Sequence, residues 1–167
     1  VRFDIVFYVR MKDGLSQIII NVEAQKDEPT GYEILNRAIF YVSRLISSQK
    51  ERDFENSSYD DIKRVYSIWV CMNMDESSMS HVHLTKEDLI GSYEWKGNLD
   101  LLNIIMLGLA KNLPEHDETY ELHRLLGALL SKELTIDEKL NINGFTVEQI
   151  ASQLPYRHML NVWHKSS

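Results

Sequence analysis

One cysteine in 167 residues excludes a disulfide framework within this chain. Cys71 lies inside an apolar run, which fits a reducing, cytoplasmic setting. No N-terminal stretch has the layout of a signal peptide, and no apolar run approaches the ~20 residues of a membrane-spanning helix. Basic residues are outnumbered: 18 Lys and Arg against 25 Asp and Glu leave a net charge of −7, which argues against a general polyanion-binding surface. Any nucleic-acid contact then has to rest on a local basic face or on a metal. Internal repeats and low-complexity segments are absent too. What remains is 44% hydrophobic and long enough for one globular domain with its own core and a helical appendage. Strand pattern starts almost at once after Val1, so natural sequence is expected upstream of it.

The stretch from Phe3 to Gln25 predicts an antiparallel hairpin. Phe3, Ile5, Phe7 and Val9 alternate with Asp4, Val6, Tyr8 and Arg10, the period of a strand. Asp13-Gly14 is a strong two-residue turn signal, because a type I′ turn needs positive φ at both central residues. With that turn, the residue numbers of every facing pair sum to 27, and Asp4 faces Glu23. Their Cβ atoms would lie about 4.5–5.5 Å apart, with Gln25 on the same face. Facing like charges are destabilising unless something positive sits between them, and a hard divalent cation suits oxygen ligands. Against this stands the plainer possibility of two solvated carboxylates, or of a bulge that shifts the register. The opposite face, Ile18, Ile20, Val22 and Ala24, reads as core.

Thr30 to Gln49 predicts a helix. Thr30 and Glu33 form a capping-box pattern after Pro29, and Leu35, Ala38, Ile39, Val42, Leu45 and Ile46 make an apolar stripe. Arg37, Tyr41 and Arg44 run beside that stripe, either as a solvated basic flank or with Arg37 and Tyr41 turned to the acidic pair. Lys50 to Asp61 is a charged loop, and Arg64 to Met72 reads as a strand covered on both faces, completing a strand–helix–strand crossover. His81 and His83 share one face of a short strand, without further metal ligands nearby. Thr85 to Gly97 carries no clear pattern, and Leu99 to Leu109 reads as another strand. Leu122, Leu125, Leu126 and Leu129 mark a helix. Helix starts follow at Thr135/Glu138 and at Thr146/Gln149 behind Phe145.

A metal held by Asp4 and Glu23 could polarise a phosphoryl oxygen and acidify a bound water, the requirements of phosphodiester hydrolysis. Gln25 cannot take up a proton, so it would orient water or stabilise charge. An Asp on one strand, E-x-Q on the next, then a helix with R-x-x-x-Y and a buried strand resembles the PD-(D/E)XK nuclease superfamily. The likeness is to its nuclease family transposases, or recombination-promoting nucleases. It is carried by Asp4-Ile5-Val6-Phe7, Val22-Glu23-Ala24-Gln25, Tyr32 to Tyr41 with Arg37, and Val65-Tyr66-Ser67-Ile68-Trp69. It extends loosely to Gly144 through Ala151.

That resemblance implies an α/β, restriction-endonuclease-like mixed sheet flanked by helices and truncated at its N-terminus. Residues 1–112 would be the nuclease core and 113–167 a helical C-terminal extension. It further implies a Mg²⁺- or Mn²⁺-dependent DNA endonuclease in which Asp4 and Glu23 ligate the metal with the Ala24 carbonyl. Gln25 would take the family's lysine position, while Arg37 and Tyr41 would meet the substrate. Phe3 stands where the family has proline, and its opening helix and first strand would lie upstream of Val1. The rival readings are a catalytically weak module of this fold that binds DNA or protein, and a nuclease acting on RNA. Oligomeric state is open, a homodimer included.

Overall fold

In the computed structural model, alternation and β-branched content become a five-stranded mixed sheet in the order β1-β2-β3-β5-β4. The strands are β1 (Ile5–Arg10), β2 (Gln17–Gln25), β3 (Arg64–Met74), β4 (Ser78–His83) and β5 (Leu102–Ala110). The structure describes residues 5–10, 17–27, 29–50, 58–112, 114, 118–135 and 138–139. Asp4, the Asp13-Gly14 turn and the Phe145–Gln149 helix start lie outside them. The chain divides into two compact units, Val1–Asn112 and Leu113–Ser167. None of the described helices is long and apolar enough to cross a membrane.

In the first unit β2, β3 and β5 are parallel neighbours, while β1 and β4 run antiparallel at the two edges. The β1–β2 pairs run from Ile5 opposite Val22 to Arg10 opposite Gln17, each summing to 27, which is the register a two-residue turn at Asp13-Gly14 demands. β3 extends two residues past the expected Met72, through a register shift against β5 between Cys71 and Met74. Asn73 adopts φ 60° there, and its amide donates to the Lys26 carbonyl at 2.9 Å and to Asp27 Oδ1 at 3.0 Å. This bulge ties the carboxyl end of β3 to the segment leaving β2.

The helix α1 (Ile34–Ser47) connects β2 to β3 and packs on one face of the sheet. It starts four residues later than Thr30, and no side chain caps it, so the Thr30/Glu33 box does not form. Tyr32 gives the reason. In a continuous helix Tyr32 and Arg37 would point about 140° apart; outside the helix, the tyrosine hydroxyl folds back to accept a 2.7 Å bond from Arg37 Nη1.

The helix is also turned by roughly 40° from the expected stripe, towards its arginine side. Ala38 and Val42 are buried and Ile34, Tyr41, Leu45 and Ile46 pack beside them, while Leu35 and Ile39 face outward. Ile39, 42% exposed, should therefore accept Ile39→Glu within about 0.5 kcal/mol in urea unfolding; a core-sized loss would restore the original stripe. At the far end, Gln49 is fully buried and bridges Lys63, accepting from its N–H at 2.8 Å and donating to its carbonyl at 3.1 Å. That two-point clamp fixes where the chain re-enters the sheet as β3.

The core under α1 is built from Ile19, Val65, Trp69, Cys71 and Ile104. This corrects the expected orientation of β2. The face carrying Ile19, Asn21 and Glu23 is the fully buried one, while Ile20, Val22 and Ala24 are half-buried. A central strand is covered on both sides, so the more apolar face need not be the one beneath the helix.

In the second unit, α2 (Glu121–Leu130) buries His123 and Ala128 and leaves Leu122 and Leu129 exposed. Beyond it, Thr135 and Glu138 form the expected capping box. The Thr135 N–H and hydroxyl both donate to Glu138 Oε2 at 2.8 Å, and the Glu138 N–H donates to Thr135 Oγ1 at 3.2 Å. The backbone bond from Thr135, then the hydroxyl bond, hold the Glu138 carboxyl below its ordinary pKa. A depressed carboxyl stabilises the folded form above its unfolded pKa, and the gain fades as pH falls through the folded value. An NMR titration should find Glu138 titrating low in the native chain and less depressed in Thr135→Ala, which removes the hydroxyl bond and keeps the backbone N–H.

Candidate functional site

Glu23 lies near the carboxyl end of β2, one residue past Val22, the last β2 residue with a described partner in β1. It is 1% exposed. On its other side the parallel register sets it opposite Trp69, with Asn21 opposite Ser67 and Gln25 opposite Cys71. Since paired residues share a face, these side chains form rows beneath α1. The resulting neighbourhood is polar and closed.

Arg37 completes it from the helix. Its Nη2 lies 3.5 Å from Glu23 Oε2, and its side chain is 13% exposed. The guanidinium is boxed by aromatic rings: its Cζ sits 5.2 Å from the Tyr41 centroid, 5.5 Å from Trp69 and 5.7 Å from Tyr32. Desolvation is the largest influence on its pKa and acts downward. Hydrogen bonds with Tyr32 and Tyr41, joined by the Glu23 charge, more than offset it and leave the pKa raised. Arg37 is thus a permanent cation fixed beside a buried carboxylate. At 3.5 Å the pair is looser than the ~2.7–2.9 Å of a charge-assisted hydrogen bond. Tyr32, bonded at 2.7 Å, holds the tighter contact.

A second polar chain adjoins the first. Trp69 Nε1 donates to Ser67 Oγ at 2.9 Å, and Asn21 Nδ2 donates to the same oxygen at 3.3 Å, using both of its lone pairs. Trp69 also meets Tyr41 edge-on at 6.3 Å. One indole therefore joins the hydroxyl network to the guanidinium box.

Of the residues expected at the site, Glu23, Arg37 and Tyr41 come together, so Arg37 is not a solvated flank. Gln25 is half-buried further along the Glu23 face, and Ala24 is half-buried on the opposite one. Asp4 lies outside the described residues. Among those residues, groups of three or more His, Cys, Asp and Glu placed to hold a metal are absent. His81 and His83 stack at 4.7 Å, but His81 Nε2 is engaged with Asn103 Oδ1 at 2.8 Å. Trp69 and Tyr32 were not among the expected site residues. Tyr32 is legible as an aromatic five residues before an arginine, whereas Trp69 depends on the β2–β3 register, which no local signal sets.

The donor chemistry near Glu23 fits a hard cation: a carboxylate, the backbone carbonyl of Ala24 and the amide oxygen of Gln25 are the ligand types Mg²⁺ accepts. Such a cation would share the Glu23 carboxylate with Arg37. Compared with protein-family models, curated proteins and solved structures, the chain finds no match.

Proposed function

We propose that this chain is the core of a Mg²⁺-dependent DNA endonuclease of the restriction-endonuclease-like type, related to the recombination-promoting nucleases. The observation that carries the reading is the Glu23 carboxylate. It is held near the carboxyl end of a parallel strand, where open α/β sheets bind their ligands, and it is set against a fixed arginine. A buried carboxylate set beside a fixed cation at a strand end is a functional-site candidate. The E-x-Q spacing adds support, since it puts Gln25 on the Glu23 face two residues on.

In this reading Glu23 and Asp4 would hold the metal with the Ala24 carbonyl, and the metal would supply phosphoryl polarisation and acidify a water. Gln25 would orient water by hydrogen bonding, and as an amide it would take no proton. Arg37 would hold the Glu23 carboxylate in place, while Tyr41 walls the guanidinium. The loose 3.5 Å pairing suits a carboxylate that must also serve a second cation.

A catalytically weak module of the same fold is the second reading. The existing Glu23–Arg37 pair favours it, because an already compensated carboxylate needs no metal. Calorimetric titration with Mg²⁺ and Mn²⁺ separates the two. One cation bound per chain, lost in Asp4→Ala together with DNA cleavage, supports the enzyme. Tight duplex binding without any cation supports the module, and RNA cleavage in place of DNA cleavage would correct the substrate.

A further inference from the structure

Between β4 and β5 the chain leaves the sheet as an arm, residues 84–101, with no helix or strand. Its large apolar side chains face outward: Leu89 is 85% exposed, Ile90 98%, Tyr93 67%, Trp95 77% and Leu99 51%. The arm nevertheless has a defined shape of its own. Lys86 Nζ donates to the Tyr93 carbonyl at 3.0 Å and pairs with Asp88 at 2.8 Å, while Tyr93 and Trp95 meet edge-on at 4.9 Å. Gly91, at φ 62°, supplies a turn that L side chains rarely adopt. The arm grows from β4, an edge strand whose outer side has no described partner.

We infer that this arm is a dimerisation surface and that its occupant is the same arm of a second copy of the chain. Area comes first. At about 150–250 Å² per aromatic, Tyr93 and Trp95 leave ~300 Å² bare, and Leu89, Ile90 and Leu99 add roughly as much again. That reaches the top of what a monomer usually exposes in one patch, and it approaches the about 800 Å² per partner of a standard stable interface. Charge comes second. Lys86 and Lys96 lie among Glu87, Asp88 and Glu94, so the arm carries both signs, as a self-complementary two-fold contact requires. The acidic excess turns away DNA and anionic lipid. Continuity comes third: the arm adjoins β4, which stands at the edge of the described sheet, and an arm already held in shape loses little freedom on docking. The inference is independent of the metal site proposed at Glu23.

Sedimentation equilibrium of the full chain at tens of micromolar tests it. The expected mass is twice the 19.5 kDa of one chain. Ile90→Asp and Trp95→Ser should each weaken association by about 30-fold or more, the size of an interface hot spot, with unchanged circular dichroism. Leu129→Asp, on the exposed side of α2, should leave the dimer intact. A monomer throughout the range overturns the inference. So does a dimer that survives both arm substitutions, or one that Leu129→Asp dissociates.

Discussion

Replacing Arg37 with alanine is expected to cost about 3–5 kcal/mol of stability, the scale of breaking a buried ion pair from one side. The partner left behind is Glu23, 1% exposed, and a carboxylate that loses a cation at that depth keeps a desolvation cost which that cation no longer offsets. Packing is lost as well, because the guanidinium fills the space between Tyr32, Tyr41 and Trp69. Glu23→Gln should destabilise less, since Arg37 keeps its bond to Tyr32 and its partial exposure. A double replacement, Glu23→Gln with Arg37→Met, should cost less than the sum of the two. Urea unfolding of the four proteins measures all of this. Additive effects, or an Arg37→Ala loss under about 1 kcal/mol, would make the pair an ordinary surface contact.

Trp69→Ala should be as damaging, about 3–5 kcal/mol, for a different reason. Among the described residues Trp69 is the largest fully buried side chain, set in β3 between β2 and β5 beneath α1. Its removal opens a cavity, takes one donor from Ser67 and withdraws the ring that Tyr41 and Arg37 lean on. Trp69→Phe keeps most of the volume but not the Nε1 donor, so it should cost distinctly less. Equal losses in the two variants would put the weight on the hydrogen bond instead of on packing.

The parts legible in the sequence were those set by neighbours in the chain. The β1–β2 register follows from one turn, Asp13-Gly14, and the described pairs keep it. β3 and β5 stand out as short apolar runs, and the Thr135/Glu138 box forms as written. The same pattern at Thr30/Glu33 does not form, because Tyr32 is engaged by Arg37. That contact spans only five residues, but the capping pattern does not weigh it. The fully buried face of β2 is not the one its apolar row predicts, because the sheet is covered by a helix that carries a cation. Ile18, Ile20 and Val22 are the more apolar row, but the helix brings a cation that can serve Glu23 on the other. Trp69 faces Glu23 only through a parallel register set by a long crossover, and the bare arm between β4 and β5 shows no periodicity at all.

The most direct measurement of the central claim is cleavage of supercoiled DNA by the wild-type chain and by Glu23→Gln, with and without Mg²⁺. The account predicts nicking that requires Mg²⁺ or Mn²⁺, stops with a chelator, and falls roughly 100-fold or more in Glu23→Gln while the fold is retained. Cleavage that proceeds without a divalent cation, or at an undiminished rate in folded Glu23→Gln, would contradict it.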